Sequence, residues 1–216
     1  AFFLQKAQGW SALETGLRMA PEFIAMALFS MLFGRFSRYI SVRKLMIFGF
    51  LLIAISSCLL ATLATTSPYA ITGSYLFILG AGMGLATPAI GVLVMKSVAP
   101  SRSGMASATM NALRQTGMTM GIALLGTLMI QQAINYMMIQ SQALGIVAEP
   151  INIITLVTEN KTASLDNQLV ALLPEAFNSG FAYAMLTAGL SCFITLFIML
   201  FPCKEKQGAL SQQIAD

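Results

Sequence analysis

Residues 69–95 include no charged side chain, and residues 104–136 include one, Arg114. Each run exceeds the ~20 apolar residues that carry a helix across the hydrocarbon core of a bilayer. Inside a bilayer the backbone has no water to bond, so such a run must close its own hydrogen bonds as a helix. The short basic turn KSVAPSRSG joins the two, which therefore read as a membrane helical hairpin. Two more uncharged runs, 45–64 and 177–201, are also long enough to span. Charged residues make up 9% of the chain, against roughly 25% in soluble domains, and hydrophobic residues 57%, with a mean hydropathy of +0.78. These features predict an all-α, multi-pass transmembrane helical bundle.

Small residues recur four apart at Gly80 and Gly84, at Gly104, Ala108 and Ala112, and at Gly117 and Gly121. That spacing places them on one helix face, where backbones can approach closely. Pro21 and Pro88 are hinge candidates, because proline removes an N–H and crowds the carbonyl four residues back. The net charge of +4 sits in short clusters at the ends of the spans, which is the mark of membrane topology and not of a nucleic-acid stripe. Cys58 and Cys192 fall inside apolar runs and Cys203 just after one, so they suggest neither a disulfide framework nor a metal site. With no histidine, phosphate-binding loop or nucleophile elbow in the chain, no catalytic residue, metal ligand or cofactor is predicted, and the protein is read as a non-enzyme.

Residues 1–5, AFFLQ, read as the end of a span cut off upstream, and residues 12–136 as four spans. The first of these starts near Ser11 or Ala12, with Trp10 as an interfacial aromatic, and should bend or open at Pro21. Residues 137–176 form a long polar connection in which 165–173 could make a surface helix, residues 177–201 the last span, and residues 202–216 a disordered tail. An Asn160-Lys161-Thr162 sequon in the connection carries little weight. The loops at 35–44 and 96–103 are basic, TTSP is neutral, the 137–176 connection is net acidic and the tail holds Lys204 and Lys206. Because short cytoplasmic loops are enriched in Lys and Arg, both basic loops and the C-terminus are assigned to the cytoplasm, with the chain in the cell (inner) membrane.

Arg114 lies roughly 15 Å into its helix at 1.5 Å per residue, where an arginine costs about 2.5–3.5 kcal/mol on insertion scales. Such a residue either faces a cavity or snorkels to the headgroups. Asn111 shares its face and Gln115 follows it, making a candidate polar patch. Glu22 is the one carboxylate within the apolar core of a span. It could attract a cationic substrate, bond backbone freed by Pro21, or pair with Arg18 four residues earlier. Methionines within spans, among them Met26, Met31, Met83, Met118 and Met120, suit either ordinary packing or a surface that takes ligands of several shapes.

Three stretches carry a likeness to a known family. GWSALETGLRMAP resembles the outer start of the second helix in the C-terminal half of the fourteen-helix drug:proton antiporters of the major facilitator superfamily. GRFSRYISVRKLMIFG resembles the basic loop that follows, and GAGMGLATP with RSGMASATMNALRQTGMTMGIALLG resembles the fourth and fifth helices of that half. In the loop motif, roughly GxLaDrxGrr, Gly34 and the Arg43-Lys44 pair are in place, with Arg35 in the same basic loop, but Arg38 stands where the motif has Asp and Ser41 where it has its second Gly.

The resemblance implies the C-terminal portion of a secondary transporter that exports amphipathic, often cationic, drugs in exchange for protons by alternating access. Its partners would be the lipid bilayer, a small-molecule substrate, protons and a missing N-terminal half, with no nucleic acid. Helices bearing Glu22, Gly80 to Pro88 and Asn111 to Gly121 would line the cavity, while 45–64 and 177–201 would pack outside. A carrier for one metabolite and a non-transporting membrane scaffold or sensor are the alternatives.

Overall fold

A computed structural model of the chain describes residues 3–144, 150–159 and 167–201, and no strand occurs among them. After a π-helical turn at Phe3–Ala7, the helices are α1 (Ala12–Arg18), α2 (Ala20–Phe36), α3 (Val42–Leu60), α4 (Tyr69–Lys96), α5 (Ser103–Ala143), α6 (Pro150–Glu159), α7 (Asn167–Ala171) and α8 (Leu173–Leu200). Five stretches are long and apolar enough to cross a bilayer: Ala12–Phe36, Val42–Leu60, Tyr69–Lys96, Pro100–Ala143 and Leu169–Leu200. The molecule is a multi-pass transmembrane helical bundle.

The first span opens just before Pro21, between α1 and α2. A capping box starts α1, in which Ser11 Oγ accepts from the Glu14 N–H at 3.3 Å while Glu14 Oε2 accepts from the Ser11 N–H at 3.1 Å. The helix stops at Arg18, and the Met19 N–H donates back to the Thr15 carbonyl at 3.0 Å. Pro21 then sits in the first turn of α2, where its missing N–H has no intrahelical partner to lose.

Helix α4 is the centre of the bundle, packing on α2 along one face and α3 along another. Its GAGMGLA run makes both contacts possible. An added methyl group at Gly80 would collide with the Glu22 carbonyl of α2, and one at Gly84 would stand 2.5 Å from the Met26 carbonyl. On the other face Gly82 meets Gly49 of α3, where a methyl group would stand 2.7 Å from the Gly49 carbonyl. Ser56, fully buried on α3, donates its hydroxyl to the Tyr75 carbonyl of α4 at 2.6 Å. Between helices that lie in lipid, backbone proximity and such hydrogen bonds supply the association that burial from water gives a soluble protein.

Helix α8 joins α3 to α5. Gly189 admits Cys58 of α3, and Gly180 lies against the Met129 carbonyl of α5. Arg43 donates to the Met199 carbonyl at 2.8 Å, tying the start of α3 to the end of α8.

The main core lies at the end of the bundle opposite the basic loops. There Phe3, Leu4 and Ala7 join Leu60, Leu63, Leu76, Ala133 and Met137, with Ile153, Leu156 and Val157 of α6 closing over them. Phe3 also stacks on Phe181 at 4.8 Å. A smaller cluster at the basic end unites Phe33, Leu45 and Ala89 of α2, α3 and α4.

The described residues of the stretch 137–176 are mostly helical. Helix α5 continues to Ala143 and α8 begins at Leu173, while α6 and α7 lie between them. Apolar residues at the spacing of Ile153, Leu156 and Val157 bury one face of α6, which explains a helix where a connection was expected. The sequon at Asn160 and the tail at 202–216 lie outside the described residues, as do the first two residues of AFFLQ.

Candidate substrate cleft

Helix α5 has 41 residues and is roughly 60 Å long at 1.5 Å per residue. Its two halves have different surroundings. The C-terminal half packs on α8 and α6, whereas every residue from 111 to 120 is exposed.

Between this N-terminal half and the last turns of α4 lies an open cleft of about 970 Å³. Thr87, Ile90, Val94 and Val98 line one wall, and Met105, Thr109, Met110 and Leu113 line the other. Arg102 and Arg114, both exposed, also line the cleft, 12 positions apart on the chain, which is roughly 18 Å along the helix.

The α4 wall begins at Thr87, next to Pro88. Pro88 has no N–H to donate to the Gly84 carbonyl, so α4 lacks one backbone hydrogen bond where it starts to line the cleft. Beyond it α4 stays packed on one face, where Ala89 is fully buried with Phe33 and Leu45, and lines the cleft on another.

The structure places Arg114 in the cleft without a hydrogen-bond or ion-pair partner among the described residues. Asn111 and Gln115 are exposed beside it but do not line the cleft. Glu22 and Met26 lie elsewhere, half-buried in the α2–α4 seam. Gly80, the neighbour of Glu22, precedes Thr87 by seven positions, roughly 10 Å along α4, so Glu22 and Arg114 are not brought together. Gly117 and Gly121 face open space, with nothing within 4 Å of an added methyl group. Of the loop-motif positions, Gly34 and Arg35 end α2 on its exposed face, Arg38 lies in the turn, Lys44 is exposed in the first turn of α3, and Arg43 holds α8.

Arg18 does not pair with Glu22, because the break at Met19 interrupts the helical register between them. Its guanidinium lies instead 3.5 Å over the Trp10 ring and 5.0 Å from that of Tyr69. Tyr69 returns its hydroxyl to the Arg18 carbonyl at 3.2 Å, and Gln8 reaches the Thr65 carbonyl at 3.3 Å. Gly9, at φ 73°, turns the chain between the π-helical turn and α1 so that Trp10 can take this position. The cluster fastens α1 to the α3–α4 turn, at the far end of the bundle from the cleft.

Sequence reasoning missed Thr87, Thr109, Met105, Met110 and Leu113 as cleft residues. A usable signal was present: positions 102, 105, 106, 109, 110, 113 and 114 recur at helical spacing and share one face of α5.

Small-residue seams, an uncovered half-helix and five spans long and apolar enough to cross a bilayer define a polytopic helical membrane protein. The chain belongs to the Major Facilitator Superfamily, whose family model matches residues 1–212. Among curated proteins it is similar to the multidrug transporter protein MdtP of Bacillus subtilis, 32% identical over 128 residues, 59% of this chain and 24% of the relative. It is also similar to the multidrug resistance protein Stp of Mycobacterium tuberculosis, 31% identical over 128 residues, with the same two coverages. The methylenomycin A resistance protein of Streptomyces coelicolor is 24% identical over 127 residues, 59% of this chain and 27% of the relative. The matched segment thus spans about a quarter of the length of these relatives. No solved structure is matched.

Proposed function

We propose that the chain is the C-terminal portion of a multidrug exporter of the cell (inner) membrane that works by proton antiport and alternating access, with both basic loops and the C-terminus in the cytoplasm. The observation that carries this reading is the α4–α5 cleft, whose lining includes Val98 and Arg102 of the basic loop at 96–103. Its volume suits a drug-sized ligand, and its flexible Met105 and Met110 side chains suit cargoes of several shapes. Relatives named for multidrug transport or antibiotic resistance support export as the direction.

In this reading the exposed face of α5 meets an N-terminal bundle of the same protein, since two bundles must rock about a shared midplane site to alternate access. Relatives about four times as long as the matched segment support such a second bundle. Gly117 and Gly121 would then serve the interface between bundles, as Gly80 and Gly84 serve the seam within one. Asn111 and Gln115 would face the same junction.

The test is efflux by the whole protein in a host stripped of its own exporters. Cells that carry it should retain less of an amphipathic dye, either cationic (ethidium, rhodamine 6G) or anionic (fluorescein), and collapse of the proton gradient should restore retention. Dye levels equal to those of empty-vector cells would overturn the reading.

A further inference from the structure

The lining of the α4–α5 cleft is apolar apart from two threonines and two arginines, and it includes no carboxylate. Glu22 is excluded from it by its place in the α2–α4 seam. A ligand that enters therefore meets positive charge alone.

The hydroxyls also distinguish this site from the rest of α5. Thr116, Thr119 and Thr127 each donate to the carbonyl four residues back, at 2.9, 3.0 and 2.8 Å. Thr87 and Thr109, the two threonines that line the cleft, make no hydrogen bond among the described residues. Their hydroxyls remain available at the end where Arg114 stands.

We infer that this cleft binds an amphipathic organic anion, its carboxylate at Arg114 and its apolar body along Ile90, Val94, Met105 and Met110. A guanidinium in an apolar wall is matched best by a planar carboxylate that can accept two parallel N–H bonds, and Thr109 and Thr87 can donate further ones. The roughly 18 Å from Arg114 to Arg102 leaves room for an apolar body about a dozen carbons long, lying between the two walls. The inference rests on the proposed export reading only in taking the cleft as open to solutes in the whole transporter.

The experiment uses the whole protein in nanodiscs of zwitterionic phosphatidylcholine. It is titrated with 11-(dansylamino)undecanoic acid and separately with the methyl ester of that acid, and dansyl fluorescence reports binding. The acid should bind about tenfold more tightly than the ester, the difference expected of one charge-assisted contact. In Arg114→Gln the preference should shrink to within about twofold, and Arg114→Lys should restore part of it. Equal affinities for acid and ester in the unmodified protein would overturn the inference. So would a preference that survives Arg114→Gln but disappears in Arg102→Gln, because the charge would then be read at Arg102. A final arm adds phosphatidylglycerol to the discs. Displacement of the acid by that lipid would assign the cleft to an anionic lipid headgroup and overturn a free amphiphile as its occupant. Binding is measured without transport, so failed dye efflux with a retained acid preference would count against export alone, and the opposite result against the anion site alone.

Discussion

An added methyl group at Gly80 would collide with the Glu22 carbonyl, and neither backbone can yield without separating α2 from α4. Gly80→Ala should therefore lower stability by about 1–3 kcal/mol, the usual range for an overfilled contact, read as a reduced thermal midpoint of the purified protein. Gly16, on exposed α1, has nothing within 4 Å. Gly16→Ala should leave that midpoint unchanged or raise it, because alanine is the better helix former by about 0.8–1 kcal/mol. Ser56 allows a subtler comparison. Its buried hydroxyl bonds the Tyr75 carbonyl, and Ser56→Ala should cost roughly 0.6–1.7 kcal/mol, the span measured for such bonds between membrane helices. Both seam residues sit in runs that read plainly as membrane spans, yet neither contact follows from its own neighbours in the chain. The spacing of Gly80 and Gly84 exposed a smooth face, and the fold supplied the Glu22 and Met26 carbonyls that fill it.

At the scale of the helix, Pro88 sits where α4 begins to line the cleft. Pro88→Ala would give position 88 an N–H that can reach the Gly84 carbonyl and stiffen the helix there. The variant should fold with an unchanged or higher thermal midpoint, and the whole protein should export dye more slowly. A rate equal to that of the unmodified protein would remove Pro88 from the set of hinges. Pro21 shows how the same residue acts differently at another site: it sits in the first turn of α2, after the break at Met19. Proline marks both places in the sequence, but whether it kinks or begins a helix depends on the turn before it. Here the Met19 N–H closes that turn onto Thr15. Polarity similarly concealed α6, whose three buried side chains become a helix face only when α5 and the π-helical turn are present to cover them.

Across the whole molecule, the α2–α4 seam holds Glu22 while the α4–α5 cleft holds Arg102 and Arg114. Acidic and basic groups thus occupy separate places, and the two should affect cargo differently. Glu22→Gln should weaken export of cationic dyes more than export of neutral cargo, measured as initial efflux rates in paired assays. An equal loss for both classes would assign Glu22 to packing. Spans, their order and the alternation of basic and non-basic loops were determined by the sequence alone, because each depends on local apolarity and charge. Which small residues meet a neighbour was decided only by the tertiary structure. Gly80 and Gly117 sit in similar four-residue patterns, yet one abuts a carbonyl and the other faces open space. The cleft belongs to the same category, since it exists only where α5 follows α8 and diverges from α4. A helix face becomes a seam or a cavity wall according to which distant segment packs beside it, and local spacing carries no record of that choice.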